Sequence, residues 1–264
     1  LFAADCVDFM LREMSADCVD LTVTSPPYDS LRDYKGYEFN FEAIAEGLYR
    51  VTAQGGVVVW VVGDRINAGR SLTSFRQGIY FQDIGFNMHD VMIYKKKNTP
   101  FMRSNAYTNA YEFMFILSKG KPKTFNPLKE NTVRHGFEMV VYNKGPDGVN
   151  RKTLKELKKT KTRTNIWQYA VVLHGTTSDR IAFKHPAIFP EKLAEDHILS
   201  WTNPGDLVFD PMCGSGTTCK MAMINQRQHL GLDISQEYID IAKQRLKECE
   251  GLGLGYAGDQ YANA

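Results

Sequence analysis

The 264-residue sequence predicts an α/β fold: a doubly wound, mostly parallel sheet with helices on both faces and one inserted region. Three observations carry this. Apolar runs of strand length at 19–23, 57–62 and 207–210 alternate with stretches of helical periodicity at 41–52 and 218–224. The run 57–62 is apolar without interruption, as a parallel strand covered on both faces must be. The run 207–210 enters a glycine-bearing turn that opens a helix, and a further strand, 228–233, ends on Asp233.

In chain order, residues 1–4 read as a strand, and Asp5 and Asp8 open a helix over 7–14, with Asp5 suited to its N-cap. After strand 19–23 come Thr24, Ser25, Pro26, Pro27 and Tyr28. Two successive prolines exclude helix and donate no backbone hydrogen bond. The residue before each is held extended. The result is a stiff loop that fixes the Ser25 hydroxyl, the Pro26 carbonyl and the Tyr28 ring. Two acceptors beside an aromatic face suit a planar ring bearing an amino group. Alone, Pro-Pro-Tyr is most often a turn or a proline-motif ligand.

Residues 29–37 are polar and read as a loop near the site, with Arg32 and Lys35 able to meet phosphate. The helix over 41–52 ends at Gly55-Gly56, strand 57–62 ends at Asp64, and a helix over 71–84 takes Ser71 as its cap. Strands 89–96 and 111–118 flank a polar loop containing Arg103. Residues 125–174 lack the alternating rhythm. From 185 the core resumes, with a helix over 190–201, Pro190 in its first turn, and a turn at 203–206. Ser235 caps a last helix to about residue 248, and the glycine-bearing tail 251–264 reads as loose.

The turn after Asp210 reads Pro211-Met212-Cys213-Gly214-Ser215-Gly216-Thr217-Thr218. Glycines at a helix N-terminus let a ligand approach the backbone. Position 219 is Cys, which breaks the dinucleotide fingerprint, and no phosphate-cradling G-x-x-x-x-G-K-[ST] is present. Asp233 follows Gly214 by 19 residues, near the offset at which an acid meets a ribose. A nucleoside cofactor without phosphate fits this pattern.

Composition narrows the class. No apolar run is long enough to span a membrane. The five cysteines and the histidines show no ligand spacing, so no metal site is expected, and unpaired cysteines point to a reducing cytoplasm. Net charge is only +2, but residues 119–163 hold 13 Lys and Arg against 4 Asp and Glu, an excess of +9 on a remainder of −7. A basic stretch on an acidic body suits a polyanionic partner.

The chain resembles the amino-directed DNA methyltransferases that use S-adenosylmethionine. Residues 24–28 are similar to that family's catalytic motif, 209–218 to its cofactor motif, and 184–193 to the segment closing over the methionine moiety. The catalytic motif comes first, which is the permuted order of the beta group. The chain departs from the family pattern at Ala4, usually Gly, and at Met212, more often Phe.

The resemblance implies a Rossmann-like methyltransferase fold whose last strand pair is antiparallel. It divides the chain into a catalytic half (1–124), a target-recognition insertion (125–180), a cofactor half (181–250) and the tail. It places Ser25, Pro26, Pro27 and Tyr28 at the reacting amine. It places Asp5, Cys6, Thr24, Phe189, Asp210, Pro211, Met212, Gly214, Gly216, Thr217, Thr218, Asp233 and Ile234 around S-adenosylmethionine. Arg32, Lys35, Arg103, Lys152, Lys155, Lys158, Lys159 and Arg163 are expected at double-stranded DNA. A homodimer and a restriction endonuclease partner are compatible with it.

Ser before Pro-Pro-Tyr goes mostly with cytosine N4 in this family, and Asp or Asn mostly with adenine N6. No proline is followed by Cys, which sets aside cytosine carbon-5 chemistry. Two other readings are an RNA or protein amine methyltransferase and a non-catalytic DNA-binding subunit. The basic stretch and motif order weigh against the first, and the intact Ser25, Tyr28, Gly214, Gly216 and Asp233 against the second.

Overall fold

The structure is a computed structural model that describes residues 1–27, 39–66, 69–98, 104, 106–144, 146–171, 176–177, 179–185, 187–188 and 190–251. It divides into two compact units, Leu1–Asn126 with Asn165–Ala264, and Pro127–Thr164. The chain runs β1 (Phe2–Ala3), α1 (Cys6–Arg12), β2 (Val19–Thr24), α2 (Phe41–Val51), β3 (Thr52–Val62), α3 (Thr73–Asp83), β4 (Asn87–Lys96) and β5 (Tyr111–Ser118). The smaller unit follows with β6 (Lys129–Asn131), β7 (Gly136–Lys144), β8 (Asn150–Leu157) and β9 (Thr160–Thr162). Then come β10 (Ile166–Tyr169), a 3-10 turn (Arg180–Lys184), α4 (Glu191–Trp201), β11 (Leu207–Asp210), α5 (Thr217–Ile224), β12 (Gln228–Asp233) and α6 (Gln236–Gly251).

The larger unit holds an eight-stranded sheet in the order β1-β12-β11-β2-β3-β5-β4-β10. All pairings are parallel except those of β5, which runs antiparallel to both β3 and β4. The expected α/β sheet with an antiparallel pair is therefore present. The continuous apolar run of β3 is explained by its place: Val57, Val58, Val59, Trp60, Val61 and Val62 are all essentially without exposure. Trp60 packs on Phe41 and Phe81 with ring centroids 5.8 and 5.2 Å apart, and its indole N–H donates to Gln77 Oε1 at 2.8 Å.

Several local expectations are corrected. α2 does not end at Gly55-Gly56. Its last turn meets Thr52, and both glycines lie inside β3, where the Gly55 N–H donates to the Lys119 carbonyl at 2.7 Å. The cap of α3 is not chiefly Ser71, whose hydroxyl lies 3.4 Å from the Thr73 N–H. Buried Asp64, just past the end of β3, accepts the Ser74 N–H at 3.0 Å and sets a carboxyl group at the helix N-terminus. Arg50 Nη1 donates to the Met10 and Met14 carbonyls at 2.8 and 2.9 Å, which closes the C-terminal end of α1.

The inserted region is shorter than 125–180. The separate unit is Pro127–Thr164, a pair of two-stranded antiparallel ribbons, β6 with β9 and β7 with β8. β10 returns to the main sheet beside β4 because its alternate side chains, Trp167 and Tyr169, are buried there. Tyr169 donates its hydroxyl to Asp196 of α4 at 2.7 Å. Alternation over only four residues is too short to read from sequence.

Trp60→Phe should lower stability by about 2–3 kcal/mol, because it removes buried ring area and leaves Gln77 without its donor in the core. Urea denaturation with unchanged slope measures this.

Candidate active site

β11 and β2 are parallel neighbours, with Phe209 opposite Thr22 and Val208 opposite Leu21. Their carboxyl ends carry the two motifs, so the sheet itself brings residues 24–27 beside the turn 211–216. Thr24 Oγ1 donates to Asp210 Oδ1 at 2.7 Å, and the Met212 N–H reaches the same oxygen at 3.2 Å. Thr218 Oγ1 donates to the Val23 carbonyl at 3.0 Å. Thr24 and Thr218 are fully buried, with these hydroxyl bonds made to protein groups. The resemblance puts both at the cofactor; here their hydroxyls tie β2 to Asp210 and to α5.

The turn is built on two left-handed glycines, Gly214 at φ +48° and Gly216 at φ +77°. A Cβ at Gly216 would lie 2.7 Å from the Ala242 Cβ, and one at Gly214 would lie 2.7 Å from the His185 ring. Glycine is therefore required for backbone conformation and for the approach of α6 and residue 185. The Cys213 N–H donates to the Leu232 carbonyl and the Gly216 N–H to the Cys213 carbonyl, both at 2.7 Å.

Asp233, at the end of β12, accepts the Gly214 N–H at 3.0 Å through Oδ2 and the Ser235 N–H at 2.8 Å through Oδ1. Burial raises its carboxyl above the usual range, against the pull of those two N–H groups. Each oxygen keeps a second lone pair, which is what a vicinal diol needs. Asp5 caps α1 by accepting the Val7 and Asp8 N–H groups at 2.9 Å, and Ala4 pairs its N–H with the Asp233 carbonyl at 2.9 Å. Asp5 thus stands next to Asp233 along the same edge. Ile234 is exposed beside it, Met212 is half-buried, and Pro211 is buried. Cys6 is a core residue whose thiol burial pushes up to about 12. The donor set fits a nucleoside: a carboxylate at a diol position, two left-handed glycines without side chains, and no basic side chain on the turn itself.

Ser25 is half-buried, Pro26 buried and Pro27 half-buried, directly after Thr24, which pairs with Trp60. Tyr28, Arg32, Lys35, Arg103 and Phe189 lie outside the described residues. Lys152 and Lys155 belong to β8, and Lys158 and Lys159 are exposed in the smaller unit. Arg163 is half-buried, with its N–H on the Leu128 carbonyl at 2.9 Å. The basic stretch also needs correction. Lys119 and Lys123 are ion-paired to Asp17 and Asp20 in the larger unit. The unit Pro127–Thr164 alone holds 10 Lys and Arg against 4 Asp and Glu, an excess of +6. Among the described residues no cluster could hold a metal ion, and no helix is long and apolar enough to cross a membrane.

One cluster has no counterpart among the sequence expectations. Arg245 and Lys220, both buried, bind Asp179 and Glu191 behind the turn. Its trace in the sequence is a cation on an apolar face: Arg245 sits among Ile239, Ala242, Leu246 and Cys249 of α6.

Asp210 gives a pH signature. Burial pushes its carboxyl up to about 6, against the Thr24 and Met212 donors, from 3.8 when exposed. A raised folded value means that the folded state binds this proton more tightly. The associated stability is complete below about pH 4 and is lost as pH rises through about 6. Asn at this position keeps an oxygen for both donors and has no charge to desolvate. Asp210→Asn should match the parent near pH 4 and exceed it by roughly 1–3 kcal/mol above pH 7, as read by thermal unfolding across that range.

The N6/N4 family of DNA methylases matches residues 19–244. The orphan methyltransferase M.BamHII of Bacillus amyloliquefaciens is 54% identical over 244 residues, 90% of this chain and 92% of that protein. The type II methyltransferase M.HinfI of Haemophilus influenzae is 26% identical, covering 94% and 68%. The fold is shared with PvuII DNA methyltransferase (cytosine-N4-specific), at TM-score 0.67 and 20% identity over 92% of this chain and 84% of that one. It is shared as well with an M1.HpyAVI–SAM complex, at TM-score 0.59 and 23% identity over 93% and 97%. The chain therefore belongs to the N6/N4 DNA methylases, site-specific enzymes that transfer a methyl group from S-adenosylmethionine to an exocyclic amine of a DNA base.

Proposed function

We propose that the acceptor is the N4 amine of cytosine, taken out of the duplex, with adenine N6 as the second choice. The observation that carries this is Ser25 ahead of Pro26-Pro27-Tyr28 at the carboxyl end of β2. A serine hydroxyl is shorter and less basic than a carboxylate and accepts one N–H of a pyrimidine amine, while the Pro26 carbonyl accepts the other. The amine lone pair is thereby turned out of the ring plane. Tyr28 stacks on the extruded base. The cofactor supplies an electrophilic methyl on sulfur.

Asp233 takes the ribose hydroxyls, Asp5 and Ile234 flank the adenine, and Phe189 and Met212 border the methionine arm. Gly214, Gly216, Pro211 and Thr217 shape the turn under it. Rate enhancement then comes from orientation and fixed dipoles, with no covalent enzyme intermediate. The cytosine-N4 specificity of the PvuII enzyme agrees with this choice of base.

The smaller unit is the proposed reader of the target sequence. A two-stranded ribbon such as β7–β8 fits the major groove, and Lys152, Lys155, Lys158, Lys159 and Arg163 supply charge for phosphates. Arg32, Lys35 and Arg103 are proposed at the backbone near the extruded base.

Mass spectrometry of nucleosides from treated DNA should find N4-methylcytosine, and Ser25→Ala should lower turnover by roughly 10²–10³ with cofactor affinity nearly unchanged. N6-methyladenine would overturn the choice of base. Methyl transfer to RNA or protein and not to DNA would overturn the substrate class. Neutralising Lys152, Lys155, Lys158 and Lys159 together should reduce the slope of log affinity against log salt by about 0.9 for each phosphate that is no longer neutralised. An unchanged slope would mean that these lysines are merely solvated.

A further inference from the structure

The cluster behind the cofactor turn has a geometry that stability alone does not explain. Arg245 is completely buried. Its Nη1 donates to the Ser215 carbonyl at 2.6 Å and lies 3.2 Å from both the Ser215 and the Thr217 hydroxyls. Its Nε donates to Asp179 at 3.0 Å, and Nη2 to Glu191 at 2.7 Å and Thr177 at 3.5 Å. Lys220 bridges the same two carboxylates, at 2.7 Å each. Burial alone would lower the Lys220 ammonium, yet its hydrogen bonds to Asp179 and Glu191 carry it above its usual value. Burial would raise Asp179, yet Lys220 and Arg245 hold it low. Lys220 and Asp179 are therefore each held in the charged form by this cluster.

Asp179 and Glu191 stand at the two ends of one stretch of chain. Between them, His185 lies against Gly214 and meets the Tyr238 ring edge-on at 4.4 Å. One guanidinium thus grips the turn with one edge and both ends of the stretch over it with the other. A buried ionic cluster adds little stability over apolar packing of the same volume. What a planar fork adds is direction, because its donors fix the relative placement of every acceptor it meets.

We propose that Arg245 is a positioning residue for the cofactor: it locks the Ser215–Thr217 backbone to Asp179 and Glu191, so that the turn holds its binding shape before the cofactor arrives. Arg245 touches neither cofactor nor substrate and acts through Ser215. The proposal rests on the reading that S-adenosylmethionine occupies the 213–217 turn.

Arg245→Lys separates the two grips, since an ammonium can still bridge the carboxylates but cannot also fork onto Ser215 and Thr217. Calorimetry with S-adenosylmethionine on the full chain should show affinity reduced about tenfold or more. KM for the cofactor should rise in step, with kcat at saturation within about threefold and KM for DNA unchanged. In a Ser215→Ala background the same change should cost less than in the parent, because the two residues act as one unit. A folded Arg245→Lys protein with parental cofactor affinity, or strictly additive effects with Ser215→Ala, would overturn the proposal. Should Arg245→Lys not fold, Glu191→Gln takes its place, with the same loss expected and parental affinity overturning it. Asp233→Ala is the companion measurement. If it too leaves affinity unchanged, the turn is not the cofactor site and this inference falls with that reading. If it weakens binding while Arg245→Lys does not, only the role of Arg245 is lost.

Discussion

The hydrogen bond from Thr24 Oγ1 to Asp210 Oδ1, at 2.7 Å, joins residues 186 apart in sequence and fixes how the two motifs meet. It lies at the ends of adjacent parallel strands, where a register slip of one residue would turn both side chains to the opposite face. The same carboxylate oxygen takes the first N–H of the glycine turn, from Met212. A single buried acceptor therefore sets the end of β2 and the turn in one frame. The cost is a buried charge, visible in the raised carboxyl of Asp210. A neutral acceptor would be cheaper, so the position favours strong, charge-assisted geometry over stability.

The sheet explains why the site lies where it does. From β2 the chain crosses through α2 to β3 on one side, and from β11 it crosses through α5 to β12 on the other. The strand order reverses between β11 and β2, which opens a crevice beyond their carboxyl ends. Asp5, Thr24, Asp64, Asp210 and Asp233 all sit at or just past strand ends on that edge. The order in which the two motif-bearing strands appear along the chain has no bearing on this crevice. Strand adjacency alone makes it.

What can be read from the sequence follows from how local each signal is. β3 and β11 are legible because burial leaves uninterrupted apolar runs at 57–62 and 207–209, and the glycine turn because only glycine tolerates its dihedrals and its neighbours. The cap of α3 is not legible because Asp64 is ten residues away and arrives through the strand. β10 escapes because four residues give too little period, and its burial depends on Asp196 in α4. The charge excess of 119–163 overstates the basic module because Lys119 and Lys123 are paired with Asp17 and Asp20, partners about a hundred residues distant. The family's motifs mark out the residues around the glycine turn as a neighbourhood. They do not reveal that the Thr24 and Thr218 hydroxyls are bonded to Asp210 and to the Val23 carbonyl.

Arg245 shows the same limit from the other side. An arginine on the apolar face of a C-terminal helix reads as a lapse in periodicity. Its partners come from the 3-10 turn region, from α4 and from the glycine turn, three stretches that only the finished fold brings together. Such a residue conflicts with its local pattern while it satisfies the global one. In a chain whose other levels agree, a conflict of this kind marks a place where the fold serves the site and not the core. The two partly buried carboxylates it binds would each be costly alone. Held between Arg245 and Lys220 they are balanced, and the backbone of the glycine turn is drawn, uncharged, into the same set of bonds.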